Sequence, residues 1–244
     1  MPRFFTPSEN FDGNNVKITG DDARHIARAL RMAVGDEITA CDMQGREHLC
    51  RLTRIRDEVC DCEIIESRDG NTESPVSITL YMGYPKGDKL EFVIQKAVEL
   101  GAARIVPFES SRCVKRPKGD KIEKQTARLS RIAEEAAKQC GRSRLTEVTQ
   151  PISFKSAIED AAHADLPLFC YEGDGTRSMK DVLNVNTTAK SVAIVVGCEG
   201  GFSLEEANEA ILGGLIPTNL GPRILRCETA PIYALTCVSF AFEL

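Results

Sequence analysis

Apolar positions follow two different rhythms along this chain. From the start to about residue 72 they fall in short runs, Val16–Ile18, Glu37–Cys41, His48–Ile55 and Cys60–Ile65. Such runs have the length and period of strands. Turn signals separate them at Asp12-Gly13-Asn14-Asn15, Gly35-Asp36 and Gln44-Gly45. One helix interrupts the series, with Asp21 or Asp22 as its cap and Ile26, Leu30 and Met32 as its apolar stripe. A run of short strands predicts a small β-barrel. The polar stretch Asp69–Pro75 reads as a linker.

From Val76 the rhythm changes to strand–helix alternation. Ile78–Gly83 is a strand, and Asp88–Leu100 a helix with Leu90, Val93, Ile94 and Ala97 on one face and Gly101 as its stop. Arg104–Phe108 is a strand, Lys121–Cys140 a long helix, Phe154–Ala162 a helix and Leu166–Tyr171 a strand. Val192–Val196 is an unbroken apolar run, as expected of a strand buried on both faces. The alternation predicts an α/β domain with a mainly parallel sheet. The expected domains are therefore residues 1–72 and 73–244.

Charge and cysteine content refine this picture. The net charge of -5 argues against a nucleic-acid partner if taken alone. Residues 112–144, however, carry eleven basic and four acidic side chains, a local excess of +7. That segment is either a solvated helix face or a phosphate-binding surface. Ten cysteines occur without a Cys-x-x-Cys pair, so no zinc ribbon and no metal is expected. Cys170 and Cys237 sit in apolar patterns, as buried free thiols do, which suits a reducing, cytoplasmic setting. No apolar stretch is long enough for a membrane span, and residues 1–11 lack the apolar run of a signal peptide.

The most informative segment is Gly197-Cys198-Glu199-Gly200-Gly201-Phe202, which follows the Val192–Val196 strand. Ser203 and Glu206 form a capping box for the next helix, which Gly213-Gly214 ends. In a parallel sheet, ligands bind where strands end and helices begin, and glycines let them lie on bare backbone. The loop carries neither the dinucleotide fingerprint nor a P-loop, and Glu199 would repel phosphate. It suits a nucleoside without phosphates, or it is a tight turn with glycines for packing alone. A second segment, Leu220–Ala230, leads into a last helix, Ile232–Leu244, with Glu228 or Thr229 as cap and Pro231 in its first turn. That helix is apolar on nearly every side, which places it in a subunit interface or deep in its own domain.

Together, Gly-x-Glu-Gly-Gly-Phe-Ser and Leu-Gly-x-Arg-Ile-Leu-Arg-x-Glu-Thr-Ala resemble the SPOUT methyltransferases, above all the branch that methylates N3 of a uridine in small-subunit (16S) ribosomal RNA. Three further fragments in the right order extend the resemblance over the whole chain. Arg3-Phe4-Phe5 with His25–Arg31 resembles the family's N-terminal PUA-like RNA-binding barrel. Lys86–Glu91 with Gln95–Gly101 resembles its first catalytic-domain helix, and Glu135–Arg142 its basic helix end. This chain departs from the pattern at Cys198, where the family has proline, at Cys227, where a small hydroxyl residue is more usual, and after Arg144, where Leu145-Thr146 stands in place of a frequent proline.

The resemblance implies a C-terminal trefoil-knotted SPOUT methyltransferase domain, a homodimer, S-adenosylmethionine as cofactor and the small ribosomal subunit as partner. It implies that Gly197, Gly200, Leu220, Gly221 and Leu225 hold the cofactor through their backbone, and that Ile224 and Leu225 sandwich the adenine. Glu199 is counted with this set, and Thr229 is placed near the methionine end. Glu172 is either a ribose or substrate contact or a solvated carboxylate. Arg226 is the expected catalytic cation, unless Glu228 or Glu199 holds it in an ion pair. Arg3, Arg24, Arg28, Arg31, Arg112, Lys115, Arg116, Arg142 and Arg144 are the expected RNA contacts. Cys198 and Cys227 read as packing residues, His25 as a helix-packing residue or part of the RNA surface, and His48 and His163 as surface residues. The competing readings are ribose 2′-O methylation by a SPOUT enzyme and a non-catalytic RNA-binding assembly factor.

Overall fold

A computed structural model describes residues 1–114, 119 and 121–244. The chain divides into two compact units, one of Met1–Glu73 with Ala137–Leu145, the other of Ser74–Ala136 with Thr146–Leu244.

The first unit holds six strands: β1 (Arg3–Phe5), β2 (Phe11–Asp12), β3 (Asn15–Thr19), β4 (Glu37–Cys41), β5 (Arg46–Ile55) and β6 (Val59–Asp69). They pair in the order β1-β4-β5-β6-β3-β2, antiparallel except for β1 with β4. Alternation in β3 buries Val16 and Ile18 and exposes its other three residues. β5 and β6 shift register after Leu49 and again after Leu52, which curls the sheet around one core. The short helix α1 (Gly20–Arg24) continues into a wide turn over His25–Ala29. Thr19, not Asp21 or Asp22, takes its N-cap position, and no side chain caps it. Of the expected stripe, Ile26 is buried and Met32 packs on the core, while Leu30 is exposed. The stretch expected as a linker is anchored: Glu73 accepts hydrogen bonds from the Arg142 guanidinium, the Ser143 N–H and the Arg144 N–H.

The second unit alternates strands and helices. Its elements are β7 (Ser77–Gly83), α2 (Lys89–Glu99), β8 (Arg104–Glu109), α3 (Lys121–Cys140, whose last turn belongs to the first unit), β9 (Glu147–Val148), β10 (Ile152–Ser153), α4 (Phe154–Ala161), β11 (Leu166–Cys170), β12 (Arg177–Ser178), α5 (Met179–Asn184), β13 (Ser191–Val196), α6 (Leu204–Leu212), β14 (Ile216–Asn219) and α7 (Thr229–Glu243). The sheet order is β10-β8-β7-β13-β11-β14-β12, with β9 also on β8, and every pairing is parallel. A parallel sheet must be covered on both faces. Tyr81, Val106, Phe108, Phe169, Ala193 and Val195 form one buried face with α4 and α6. Alternate residues face the other way, where α7 packs on β13 and against α2 and α5. No helix among the described residues is long and apolar enough to cross a membrane.

Candidate functional site

Register fixes where the site lies. Val196 stands opposite Met82 on one side and Cys170 on the other, and Cys170 stands opposite Thr218. One step further, four strands therefore end side by side at Gly83, Gly197, Tyr171 and Asn219. A cavity of about 710 Å³ opens at this edge. It is lined by Cys170–Glu172 and Thr176, by Val196–Glu199 with Gly201 and Phe202, by Asn219–Glu228 with Ala230, and by Lys89.

The glycine loop is held from three sides. A Cβ on Gly83 would lie 2.5 Å from the Cys198 nitrogen, so β7 abuts the loop backbone to backbone. Gly201 adopts φ +63°, a left-handed conformation that suits glycine, and closes the turn through its N–H to the Cys198 carbonyl at 2.9 Å. Arg112 Nη1 donates to the Gly200 carbonyl at 2.7 Å. Phe202 then buries its ring against Phe108, Phe154 and Phe169, with centroids 6.3, 5.6 and 4.5 Å away. Burying a phenyl ring contributes about 2–3 kcal/mol. The expected capping box forms: Ser203 Oγ accepts from the Glu206 N–H, and Glu206 Oε2 accepts from the Ser203 N–H at 2.9 Å. Glu206 also accepts from the Ser111 N–H, tying segment 110–113 to the start of α6.

The opposite wall is the irregular stretch Leu220–Glu228. Asn219 starts it: its Oδ1 accepts from the Gly221 N–H, and its Nδ2 donates to Thr176 Oγ1. The Arg226 carbonyl ends it by accepting the N–H groups of Thr229 and Ala230, both at 2.9 Å. Glu228 occupies the N-cap position of α7 without a side-chain cap. Ile224 is exposed into this space and Leu225 is half-buried.

The charges are arranged around Lys89. Its Nζ lies 2.9 Å from Glu199 Oε1 and 3.5 Å from Glu228 Oε2. Glu199 also accepts the Lys86 N–H at 3.0 Å. Partial burial pushes the Glu199 carboxyl up, but Lys89 and backbone N–H groups outweigh it and hold it below the usual carboxylate range. Neither carboxylate pairs with Arg226, so the expected alternative of an ion pair for that residue does not form. Among the described residues Arg226 and Glu172 have no side-chain partner, and both line the cavity. Burial and a hydrogen bond to Glu228 push the Cys227 thiol up to about 12, which keeps it protonated. Cys198 meets Cys113 in a buried contact that pulls the Cys113 thiol down and pushes the Cys198 thiol up.

Of the expected cofactor residues, Glu172, Gly197, Glu199, Leu220, Gly221, Ile224 and Leu225 line the cavity, as does Arg226. Gly200 and Thr229 do not: the first backs onto Arg112, and the second begins α7. Lys89, Tyr171, Asn219 and Arg223 also line it, although sequence reasoning did not single them out. The signal for Lys89 was available, because it begins the helix after the Ile78–Gly83 strand, at the same sheet edge.

The expected RNA contacts are scattered in accessibility. The Arg3 side chain is only 13% exposed and pairs with Glu47 at 2.7 Å. Arg142 is buried and pairs with Glu73. Arg24 pairs with Asp21 and Glu58, and Arg28 with Asp57, all at the surface. Arg144 is exposed beside Gly45. Arg31 is exposed at φ +51°, a conformation that costs a non-glycine residue about 1 kcal/mol. Lys115 and Arg116 lie outside the described residues. His48 is not a surface residue: it is buried, hydrogen-bonded to Ser67 Oγ at 2.8 Å, and packed on Phe11.

Known proteins share this arrangement. Residues 72–239 match the RNA methyltransferase domain family, and residues 18–65 match the RNA methyltransferase PUA domain. The ribosomal RNA small subunit methyltransferase E of Bacillus subtilis is 34% identical over 100% of this chain and 98% of its own. A putative methyltransferase of Legionella pneumophila, solved with bound S-adenosylmethionine, is 30% identical at a TM-score of 0.88, covering 98% of this chain and 97% of that one. The ribosomal RNA small subunit methyltransferase E of Neisseria gonorrhoeae, solved bound to S-adenosylmethionine, is 31% identical at a TM-score of 0.86, again over 98% and 97%. With the glycine loop, the irregular wall and the sheet edge all in their expected order, and with both family domains matched in sequence, this chain belongs to the RNA methyltransferase family.

Proposed function

We propose that the chain transfers the methyl group of S-adenosylmethionine to N3 of a uridine in 16S ribosomal RNA of the small subunit. The observation that carries this reading is a cavity walled by bare glycine backbone on one side and by the Leu220–Glu228 stretch on the other, with the Arg226 guanidinium unpaired among the described residues.

The cavity suits that cofactor on its own terms. Its volume lies within the range of small-molecule sites. Gly197 is tightly packed: a Cβ there would meet Gly201 and Phe202 at 3.1 Å, so they would have to give by a few tenths of an ångström. Carboxylates line it where a phosphate would be repelled, and Glu172 is free to accept from ribose hydroxyls. Backbone at Gly197, Leu220, Gly221 and Leu225 holds the nucleoside and methionine, and Ile224 and Leu225 flank the adenine.

When bound, the cofactor supplies a methyl group already activated on a sulfonium. The task left to this chain is orientation, exclusion of water and management of charge. Uridine N3 must first give up its proton to solvent, which leaves a negative charge spread over the ring oxygens until N3 takes the methyl group and the methyl–sulfur bond breaks. Arg226, permanently cationic, stabilises that charge; it is no base. Neither Cys198 nor Cys227 is needed as a nucleophile, since the bond forms at nitrogen.

RNA is held by the exposed cations Arg31 and Arg144, with Arg24 and Arg28 exchanging surface carboxylates for phosphates. Residues 1–72 serve as the PUA-like RNA-binding domain and 73–244 as the trefoil-knotted catalytic domain. The protein acts in the cytoplasm as a homodimer joined through α7, whose Tyr233 and Phe240 are exposed.

The test uses tritium-labelled S-adenosylmethionine with small ribosomal subunits from a strain lacking uridine-N3 methylation. Label recovered in 3-methyluridine is the expected result. Label in a ribose-methylated nucleoside, or none, overturns the reading.

A further inference from the structure

Two loops form the cavity, and they come from distant parts of the chain. One is the glycine loop after β13; the other precedes α7. Among the described residues no hydrogen bond or ion pair joins residues 197–203 to residues 219–230 directly. They are joined through Lys89. From the first residue of α2 its Nζ reaches Glu199 Oε1 at 2.9 Å on one loop. On the other it reaches Glu228 Oε2 at 3.5 Å and the Cys227 sulfur at 3.8 Å.

A lysine ammonium is a compact charge with three donors, so it can serve two carboxylates at once. Remove it and two carboxylates of the cavity lining are left close together without the cation they share. Like charges at such range repel, and the mostly exposed Gly221–Arg226 stretch is the side that can yield, since the glycine loop is held by Gly83, Arg112 and the buried Phe202. The Lys86 N–H on Glu199 anchors the same α2 approach to the glycine loop, so the clamp has a fixed base.

We propose that Lys89 is a positioning residue, a cationic clamp that sets the spacing of the glycine loop and the pre-α7 loop at which the cofactor fits. This rests on the reading that the cavity takes S-adenosylmethionine. Lys89 acts through Glu199 and Glu228, not by touching the reacting atoms.

The test is calorimetric titration of S-adenosylmethionine and S-adenosylhomocysteine into the wild type, K89M, K89R and K89M/E228Q, with a thermal melt of each. Two partly exposed ion pairs are together worth about tenfold in affinity. K89M is expected to weaken both ligands by about that factor, with a melting temperature close to wild type. K89R restores binding to within about threefold. K89M/E228Q regains most of the loss, because one of the two facing charges is gone. A merely structural role would not show that rescue. Wild-type affinity in K89M overturns the clamp, as does a double variant no better than K89M, which would mark a direct ligand contact instead. A K89M chain that melts far below wild type, with no rescue in either other variant, makes Lys89 a folding residue and also overturns it. Failure of the wild type to bind either ligand is a separate outcome, and it overturns the cofactor reading together with the clamp.

Discussion

Lys89 occupies both carboxylates that stood as candidate partners for Arg226, and so leaves that guanidinium free at the cavity wall. Exposed, and unpaired among the described residues, it is available to a developing anion. Replacing a donor that stabilises transition-state charge costs on the order of 100-fold in turnover. R226A is therefore expected to lose about that factor in kcat while its Kd for S-adenosylmethionine stays within twofold, measured by single-turnover methylation and calorimetry. Equal loss in both quantities would make Arg226 a cofactor contact. Cations of this kind are poorly legible in sequence, because charge says nothing of partners. Arg3, Arg112 and Arg142 look alike as basic residues. Yet Arg3 and Arg142 are spent on Glu47 and Glu73, and Arg112 supports Gly200. His48 shows the same limit, since the alternation that buries it is read only once its register with β6 is known.

At the scale of elements, backbone packing matters more than side-chain chemistry. The end of β7 presses on the glycine loop at Gly83, where an added methyl would lie 2.5 Å from the Cys198 nitrogen and 2.9 Å from the Gly197 carbonyl carbon. Backbone cannot yield as a flexible side chain can. G83A is expected to displace the loop, weaken S-adenosylmethionine binding more than tenfold and lower the melting temperature by several degrees. Unchanged affinity in G83A would mean that the loop relaxes without cost. The sequence makes the long elements plain: α2, α3, β11 and β13 fall where periodicity puts them. It hides β14, four residues that include Pro217, a type that argues against a strand interior. β9, β10 and β12 are two residues each, too short for any period. The glycine loop and capping box were legible because their local chemistry is self-contained. The wall at Asn219 was not, because it depends on β14 lying beside β11.

For the whole molecule, the informative element is α7. It is apolar all round, yet only Pro231, Ala234, Leu235 and Val238 are buried within this chain. Tyr233 is 42% exposed and Phe240 71% exposed, and Phe92 on neighbouring α2 is 47% exposed. Apolar surface left on one helix pair suits a second copy. Light scattering after size exclusion is expected to give about twice the 26.8 kDa chain mass for wild type and the single mass for F240D. A monomeric wild type would refute the dimer. The strand–helix alternation made the parallel sheet legible. The assignment of residues 137–145 to the first compact unit was not, since helical periodicity runs unbroken to Cys140.

The order of the cavity's residues has a consequence for biosynthesis. Apart from Lys89, every residue that lines it lies at position 170 or later, and the last is Ala230. If this cavity takes the methyl donor as proposed, a ribosome must have made the chain beyond β14 before its product has two walls to hold it. β7, β8 and α2 can gather earlier, but they leave β7 with an open edge until β13 is made. On the proposed reading of the cavity, a chain that stops before Leu220 lacks the second wall and is expected neither to bind the cofactor nor to modify RNA.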